Sequence, residues 1–439
     1  MQFHIENTSS IHKASINLNG LTVIGGENDT GKSTVGKLLF AIVKGISRFE
    51  QDLYVGKEQN ITRLIENLYF SIRRITKVNE EIRIAFYPPR FLRELKVFSN
   101  GFSITLINKE LDDLFLAKEY IIYSFDVSKD DQKSLIKKLL LIKEEFLREE
   151  DRSETIKKAL SQAFFSEFYA EISPKNNSYK SRLYLEESSN KIFEIEIENN
   201  SIKRFDLYDE FFFNEVTFIE TSIVLQLHDI INSAQTLFDY IDDLSNINYS
   251  SNKVSLHLKD LVSKIKTAEY YAPNLFSSNS IIDTISQTIG GEFSFEKEQS
   301  DFKYLTQKND AIRPVNTASG IRSFGVIQLL LKSNILNNRS LLILDEPETH
   351  LHPKWQVEYA NLIIELVKND ISILVTSHSP YMIQALNTFS KKNDIQGNTS
   401  FYLAEKNPET NNSEIVDVSK DLNKLFQKLS EPLQELLWQ

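Results

Sequence analysis

The stretch LTVIGGENDTGKSTVGKLLF, Leu21 to Phe40, runs an apolar segment, a glycine-containing turn and a helical pattern together without a break. Leu21 to Ile24 reads as a short buried strand and Val35 onward as a helix. Between them stands Gly26-x-x-x-x-Gly31-Lys32-Ser33, a phosphate-binding loop in the strand–loop–helix setting that it requires. The residue types follow from the task. Glycines let backbone N–H groups turn inward around phosphate oxygens, and the helix N-terminus adds its positive dipole end. Lys32 is placed to reach the terminal phosphates of a nucleotide, and the Ser33 hydroxyl to ligate magnesium. The candidate nucleotide-binding set is Gly26, Glu27, Asn28, Asp29, Thr30, Gly31, Lys32, Ser33 and Thr34.

A loop of this kind demands an acidic strand end elsewhere in the chain. LLILDEPETHLHPKWQ, Leu341 to Gln356, has one, but its letters allow two readings. His350 and His352 beside Asp345, Glu346 and Glu348 have the make-up of a metal-hydrolase site. Against that, Pro353 suits a first helical turn, and Trp355, Tyr359, Leu362, Ile363 and Leu366 recur at helical spacing. The two histidines then sit in the turn between strand and helix, where they cap the helix or touch a neighbour. A zinc pair more usually lies four apart on one helix face. Leu341 to Leu344 is a continuous apolar run, as in a central parallel strand buried on both faces. Asp345 at its end is placed to hold magnesium, and Glu346 to polarise the attacking water as general base.

Two further segments narrow the type. ISILVTSHSP, Ile371 to Pro380, is another apolar strand ending in Ser377-His378-Ser379, with Ser379 as the cap of the next helix. His378 lies just past a strand's carboxyl end, where α/β sheets bind ligands. NTASGIRSFGVIQLLL puts Ser319 and Gly320 at the start of an amphipathic helix.

GENDTGKST, TASGIRSF, LLILDEPETHLHP and LVTSHSP, in that order, resemble the ABC-type ATPases of the SMC/RecF/OLD class. In particular they are similar to bacterial AAA-domain proteins of phage defence, the Septu, PARIS and OLD-like ATPases. The resemblance covers about the first 35 residues and roughly Thr217 to Glu405. It implies an α/β fold: an ABC-type P-loop ATPase head, a mixed sheet flanked by helices, with an antiparallel β portion and helical insertions. It implies ATP and Mg2+ as ligands, with Ser33 and Asp345 on the metal and Glu346 and His378 (the switch histidine) as catalytic residues. Ser319 and Gly320 would contact the γ-phosphate held by a second subunit. ASGIRS departs from the usual LSGGQ, lacking the second glycine and the glutamine. No Q-loop glutamine stands out, and Gln162 to Ser173 is where the resemblance would seat one.

Lys32 and Asp345 are 313 positions apart, which leaves room for insertions. Ile61, Leu64, Ile65, Leu68 and Ile72 mark one helix face, and Leu135, Ile136, Leu139, Ile142 and Phe146 another. KIFEIEIENN alternates as a half-exposed antiparallel strand, paired with YKSRLYLEE across Ser188-Ser189-Asn190. VTFIE returns to the core, and Gly290-Gly291 stop the last inserted helix. The expected division is an ATPase head from 1–50, 170–220 and 290–410. A helical insertion spans 51–169, a second spans 221–289, and C-terminal amphipathic helices occupy 411–439.

Composition excludes several classes. The chain has no cysteine, hence neither disulfides nor thiolate chemistry, and no apolar run long enough to cross a membrane. MQFHIENTSS has neither the basic start nor the apolar stretch of a signal peptide, so a cytoplasmic location is expected. A net charge of -11 does not attract nucleic acid overall. DNA contact would need local patches such as Arg73-Arg74-Lys77 or Lys133, Lys137, Lys138 and Lys143. OLD-type nucleases carry a Toprim domain after the ATPase, but here the residues after His378 contain no Asp-x-Asp. The resemblance therefore implies a homodimeric or higher homo-oligomeric ATP switch that controls a separate effector, a nuclease or toxin. The alternatives it leaves open are a DNA-maintenance ATPase of the RecF/SMC type and a nucleotide-gated scaffold with little turnover.

Overall fold

The computed structural model describes residues 1–76, 119, 121, 127–147, 152–169, 171–174, 180–234, 236, 254–269 and 278–437. Lys77, Ala170 and the Phe146 side chain, each part of a sequence motif above, lie outside the described residues. The chain forms two compact units: Arg48–Thr155 is one, and Met1–Ser47 with Ile156–Gln439 is the other.

The larger unit is built on an 11-stranded sheet. Its strands, in chain order, are β1 (Gln2–Thr8), β2 (Ile11–Asn17), β3 (Leu21–Gly26), β4 (Ser181–Glu187), β5 (Asn190–Glu198), β6 (Ser201–Leu207) and β7 (Glu215–Ile219). After β8 (Gly291–Glu296), β9 (Asp301–Thr306) and β10 (Ala311–Ile312), which form a separate antiparallel sheet, come β11 (Ser340–Asp345), β12 (Ser372–Ser377), β13 (Thr399–Lys406) and β14 (Ser413–Asp417). The large sheet runs β6-β5-β4-β1-β2-β14-β13-β3-β12-β11-β7. From β13 to β7 all neighbours are parallel, whereas β6 to β2 form an antiparallel meander. Strand β14, which the sequence patterns do not reveal, joins the halves: it is antiparallel to β13 and parallel to β2.

The helices are α1 (Lys32–Thr76), α2 (Lys129–Leu147), α3 (Arg152–Phe168), α4 (Val224–Ser233), α5 (Leu256–Lys266), α6 (Ser278–Ile289), α7 (Ser319–Lys332), α8 (Pro353–Lys368), α9 (Pro380–Lys392) and α10 (Asn423–Leu437). They explain why β3 and β11 are buried at every position. Leu21 and Val23 of β3, Leu342 and Leu344 of β11, and Ile373 and Val375 of β12 share one core with α7, α8, α9 and the small sheet. Side chains alternate across a strand, so the intervening positions face the other way. There α1 closes in, and a Cβ on Gly36 would lie 2.6 Å from Phe218 and 3.0 Å from Ile343. Both faces are covered, as continuous apolar parallel strands require.

The β4–β5 hairpin forms as expected, pairing Glu187 with Asn190 across a turn in which Ser188 and Ser189 take φ of 50° and 71°. One detail differs: Glu194 is 4% exposed rather than solvated, because Arg182 and Lys191 both pair with it. Gly290 ends α6 with φ 73°. In the smaller unit, Ile61, Ile65, Leu68 and Ile72 are buried on α1, and Leu135, Leu139 and Ile142 on α2. Ile136, one position off that face, is exposed. Two of the basic residues are engaged: Arg74 pairs with Asp131 at 2.8 Å, and Lys138 donates to Asn67 O at 3.3 Å. No helix among the described residues is long and apolar enough to cross a membrane.

Candidate functional site

Four parallel strands end along one edge. Gly25 pairs with Ser377, Thr376 with Asp345, and Leu344 with Ile219. The residues that follow, the Gly26–Gly31 loop, His378, Glu346 and Glu220, therefore emerge side by side at strand spacing.

The loop has glycine where only glycine fits. Gly26 takes φ 152°, and a Cβ there would stand 2.4 Å from Ala404 O; Gly31 takes φ 85°. Thr30 Oγ1 donates to Glu27 O at 2.8 Å, and Asp29 at the tip pairs with Lys406. Glu27, Asn28 and Asp29 are exposed, whereas Ser33 and Thr34 are half-buried in the first turn of α1. Lys32 is 3% exposed and folds back on its own loop, its Nζ donating to Gly26 O at 3.0 Å and Glu27 O at 2.6 Å. Burial lowers the Lys32 pKa, against the opposing charges of Glu346, Asp345, Glu348 and Glu27.

Asp345 accepts from Thr376 Oγ1 at 2.5 Å, and the Ser33 hydroxyl is close enough to favour its charged form. Burial raises its pKa; the Thr376 and Ser33 hydroxyls oppose the rise, and the nearby charges of Glu346 and Glu220 add to it. A cation at this point would relieve that crowding. Glu346 has φ 47°, a left-handed conformation held by its N–H, which donates to Thr376 O at 3.2 Å and Thr376 Oγ1 at 3.1 Å. Its carboxylate remains about a third exposed and lies 3.6 Å from His378 Nδ1. So the edge gathers Lys32, Ser33, Asp345, Glu346 and His378. An ammonium and a helix N-terminus face phosphate chemistry, a hydroxyl and a buried carboxylate suit a hard cation, and one carboxylate is open to water.

Ser319 and Gly320 begin α7 and pack against the turn after β11. Ser319 Oγ donates to His350 O at 3.3 Å, and Trp355 lies 2.8 Å from where a Gly320 Cβ would be. The two turn histidines have distinct positions. His350 takes φ 64°, and His352 caps α8, its Nδ1 accepting from Lys354 N at 3.3 Å. Among the described residues no group of three or more His, Cys, Asp or Glu side chains is arranged to hold a metal unaided. Ser379 caps α9 by accepting from Met382 N at 3.4 Å.

Sequence reasoning missed two acids. Gln162 lies buried on α3, within Gln162–Ser173. The strand bordering β11 is β7, and Glu220 follows its last residue, Ile219. The only signal for Glu220 was its place at the end of VTFI. The second is Glu348, which the letters DEPE present as an ordinary turn residue.

Glu220 is anchored through a buried histidine. His257 Nε2 stands 2.9 Å from Glu220 Oε2, and its Nδ1 stands 2.7 Å from Oε2 of Glu167, whose side chain is fully buried. Burial alone would lower the His257 pKa, but the hydrogen bonds and charges of both carboxylates prevail and raise it from 6.5 to about 9. A folded-state pKa above the unfolded one stabilises fully below pH 6.5, and the effect is lost as pH rises to about 9. Urea midpoints for the wild type are therefore expected to fall across that window, and for His257→Gln to fall less. Parallel midpoint–pH curves for the two proteins would remove the imidazolium from the account.

Comparison with known proteins gives the family. A family model described as the AAA ATPase domain matches residues 1–383. The Septu protein PtuA of Bacillus thuringiensis is 31% identical over 106 residues, 24% of either chain. A "Putative ABC transporter ATP-binding protein" of Mycoplasma pneumoniae is 28% identical over 155 residues, 34% of this chain and 44% of that one. The chain thus spans less than half the length of these curated relatives. Among solved structures, the SMC head domain from Thermotoga maritima aligns over 95% of this chain and 98% of its own, with TM-score 0.38 and 11% identity. With the family model spanning the phosphate loop, β11 and the His378 turn, the chain belongs to the AAA ATPase domain family.

Proposed function

We propose that the protein is a cytoplasmic ATP-hydrolysing switch that dimerises around two ATP molecules and controls a separate effector protein, a nuclease or toxin, in anti-phage defence. The observation that carries the ATPase reading is Lys32, buried on its own loop beside Asp345, with Glu346 open to water one residue further on. In this reading the loop N–H groups and Lys32 bind the β- and γ-phosphates. Ser33 and Asp345 would hold magnesium, which when bound would neutralise charge developing on the phosphate oxygens. Glu346 takes the proton from the attacking water, and His378 orients the terminal phosphate. The defence assignment is supported by the similarity to Septu PtuA.

Dimerisation has a direct test. If Ser319 and Gly320 complete the partner's site, each subunit contributes to two different sites. Mixing Ser319→Arg chains with Lys32→Ala chains then gives heterodimers with one doubly defective interface and one intact interface. ATPase activity absent from either mutant alone is expected to return in the mixture. No recovery, despite confirmed heterodimers, would leave a site formed within one chain and sink the two-subunit sandwich.

A further inference from the structure

Glu348 is more enclosed than either acid before it, at 4% exposure against 8% for Asp345, and the mechanism above leaves it without a task. Its Oε1 accepts from Ser377 Oγ at 2.8 Å, His378 N at 2.8 Å and Ser379 N at 3.2 Å. The same oxygen stands 3.4 Å from His378 Nδ1. Its Oε2 is buried and has no hydrogen-bond partner among the described residues. Closing this turn needs an acceptor but no charge, and an amide oxygen would serve. A carboxylate with one bare buried oxygen is a costly way to do it. The charge has two neighbours that would use it: it is one of the carboxylates that favour the Lys32 ammonium, and it stands directly beside the His378 ring. With Nδ1 turned toward Glu346 and Glu348, Nε2 on the far side of the ring is turned away from both, and the side chain is 45% exposed. The support is itself braced: Ser379 Oγ donates to Gln356 Oε1 at 2.6 Å, and Gln356 Nε2 donates to Leu351 O at 3.0 Å.

We propose that Glu348 is a positioning residue for ATP hydrolysis: its carboxylate clamps the His378 backbone and turns Nδ1 inward, which leaves Nε2 to meet the nucleotide. The proposal rests on the ATPase reading given above. Glu348 acts through His378, since its own side chain is 3% exposed and out of reach of substrate.

Glu348→Gln keeps an oxygen for the three donors and removes the charge. It is expected to lower kcat about 10- to 100-fold, the usual cost of losing a partner that orients a functional histidine. KM for ATP and the melting temperature should stay close to wild type. In a His378→Ala background the same substitution should change kcat by less than about twofold, because the group it acts through is gone. Equal losses in both backgrounds, or no loss in either, overturn the proposal in favour of a role in the turn alone. A second readout does not depend on turnover. The 13C imidazole signal of His378, identified by its disappearance in His378→Ala, is expected to move in Glu348→Gln, and an unmoved signal overturns the proposal whatever the kinetics. A wild-type protein without ATPase activity would count against the ATPase reading, while the imidazole signal would still decide the positioning.

Discussion

Lys32→Ala protein is expected to fold but to show no melting-temperature response to ATP. Nucleotide at a hundred times its Kd stabilises a binding-competent protein by about 2.7 kcal/mol, and the mutant should lose that gain entirely. From the sequence, Lys32 needs no packing role, and alanine there ought to leave the fold untouched. The structure adds a cost. Lys32 is 3% exposed and bridges Gly26 O and Glu27 O, and its ammonium opposes the charges of Glu346, Asp345 and Glu348. Without it, the two carbonyls lose a charged donor, worth about 1–3 kcal/mol. The ligand-free mutant should therefore melt somewhat below the ligand-free wild type. An ATP response equal to the wild type's would refute the phosphate-loop assignment, whatever the melting temperature.

The elements legible in the sequence were those whose signals are local. The loop spacing, the two apolar strands ending at Asp345 and Ser377, the Ser379 cap and the Ser188-Ser189 turn each fit within a dozen residues. Glu220 was not legible because its importance is a matter of register. Only the pairing of Leu344 with Ile219, across 125 positions of chain, brings the end of VTFIE beside Asp345. Glutamine 162 drew attention by residue type alone, and it lies on a helix instead. Glu348 was hidden for another reason. An acid two residues after Glu346 reads as solvated, and its burial depends on the β12–α9 turn folding over it from thirty positions away. Helix α1 runs through Gly45 and on to Thr76. At Gly45 the missing side chain makes room for Leu160 of α3, 2.6 Å from where a Cβ would be. Packing there outweighs the modest helix penalty of glycine.

Glu346→Gln should separate binding from hydrolysis. Glu346 and Glu348 flank the same proline, and geometry chooses between them as the base. The Glu346 side chain is 32% exposed, whereas that of Glu348 is 3% exposed and already holds the His378 turn. Water can reach only the first. Glutamine has the same shape, and the φ of 47° at this position is fixed by the bonds from its N–H to Thr376, which the substitution leaves in place. The strained turn should therefore survive, and ATP affinity with it. What is lost is the proton acceptor, and removing a general base lowers turnover about 10²- to 10⁴-fold. That is about 3–5 kcal/mol in the barrier. Because ATP then persists in the site, an ATP-dependent dimer should outlast that of the wild type, a difference visible as a stable dimer peak on size exclusion with ATP and its absence with ADP. Turnover at the wild-type rate in Glu346→Gln would mean that another group accepts the proton. Glu220, exposed at the same strand edge and held by His257, is the next acid to replace.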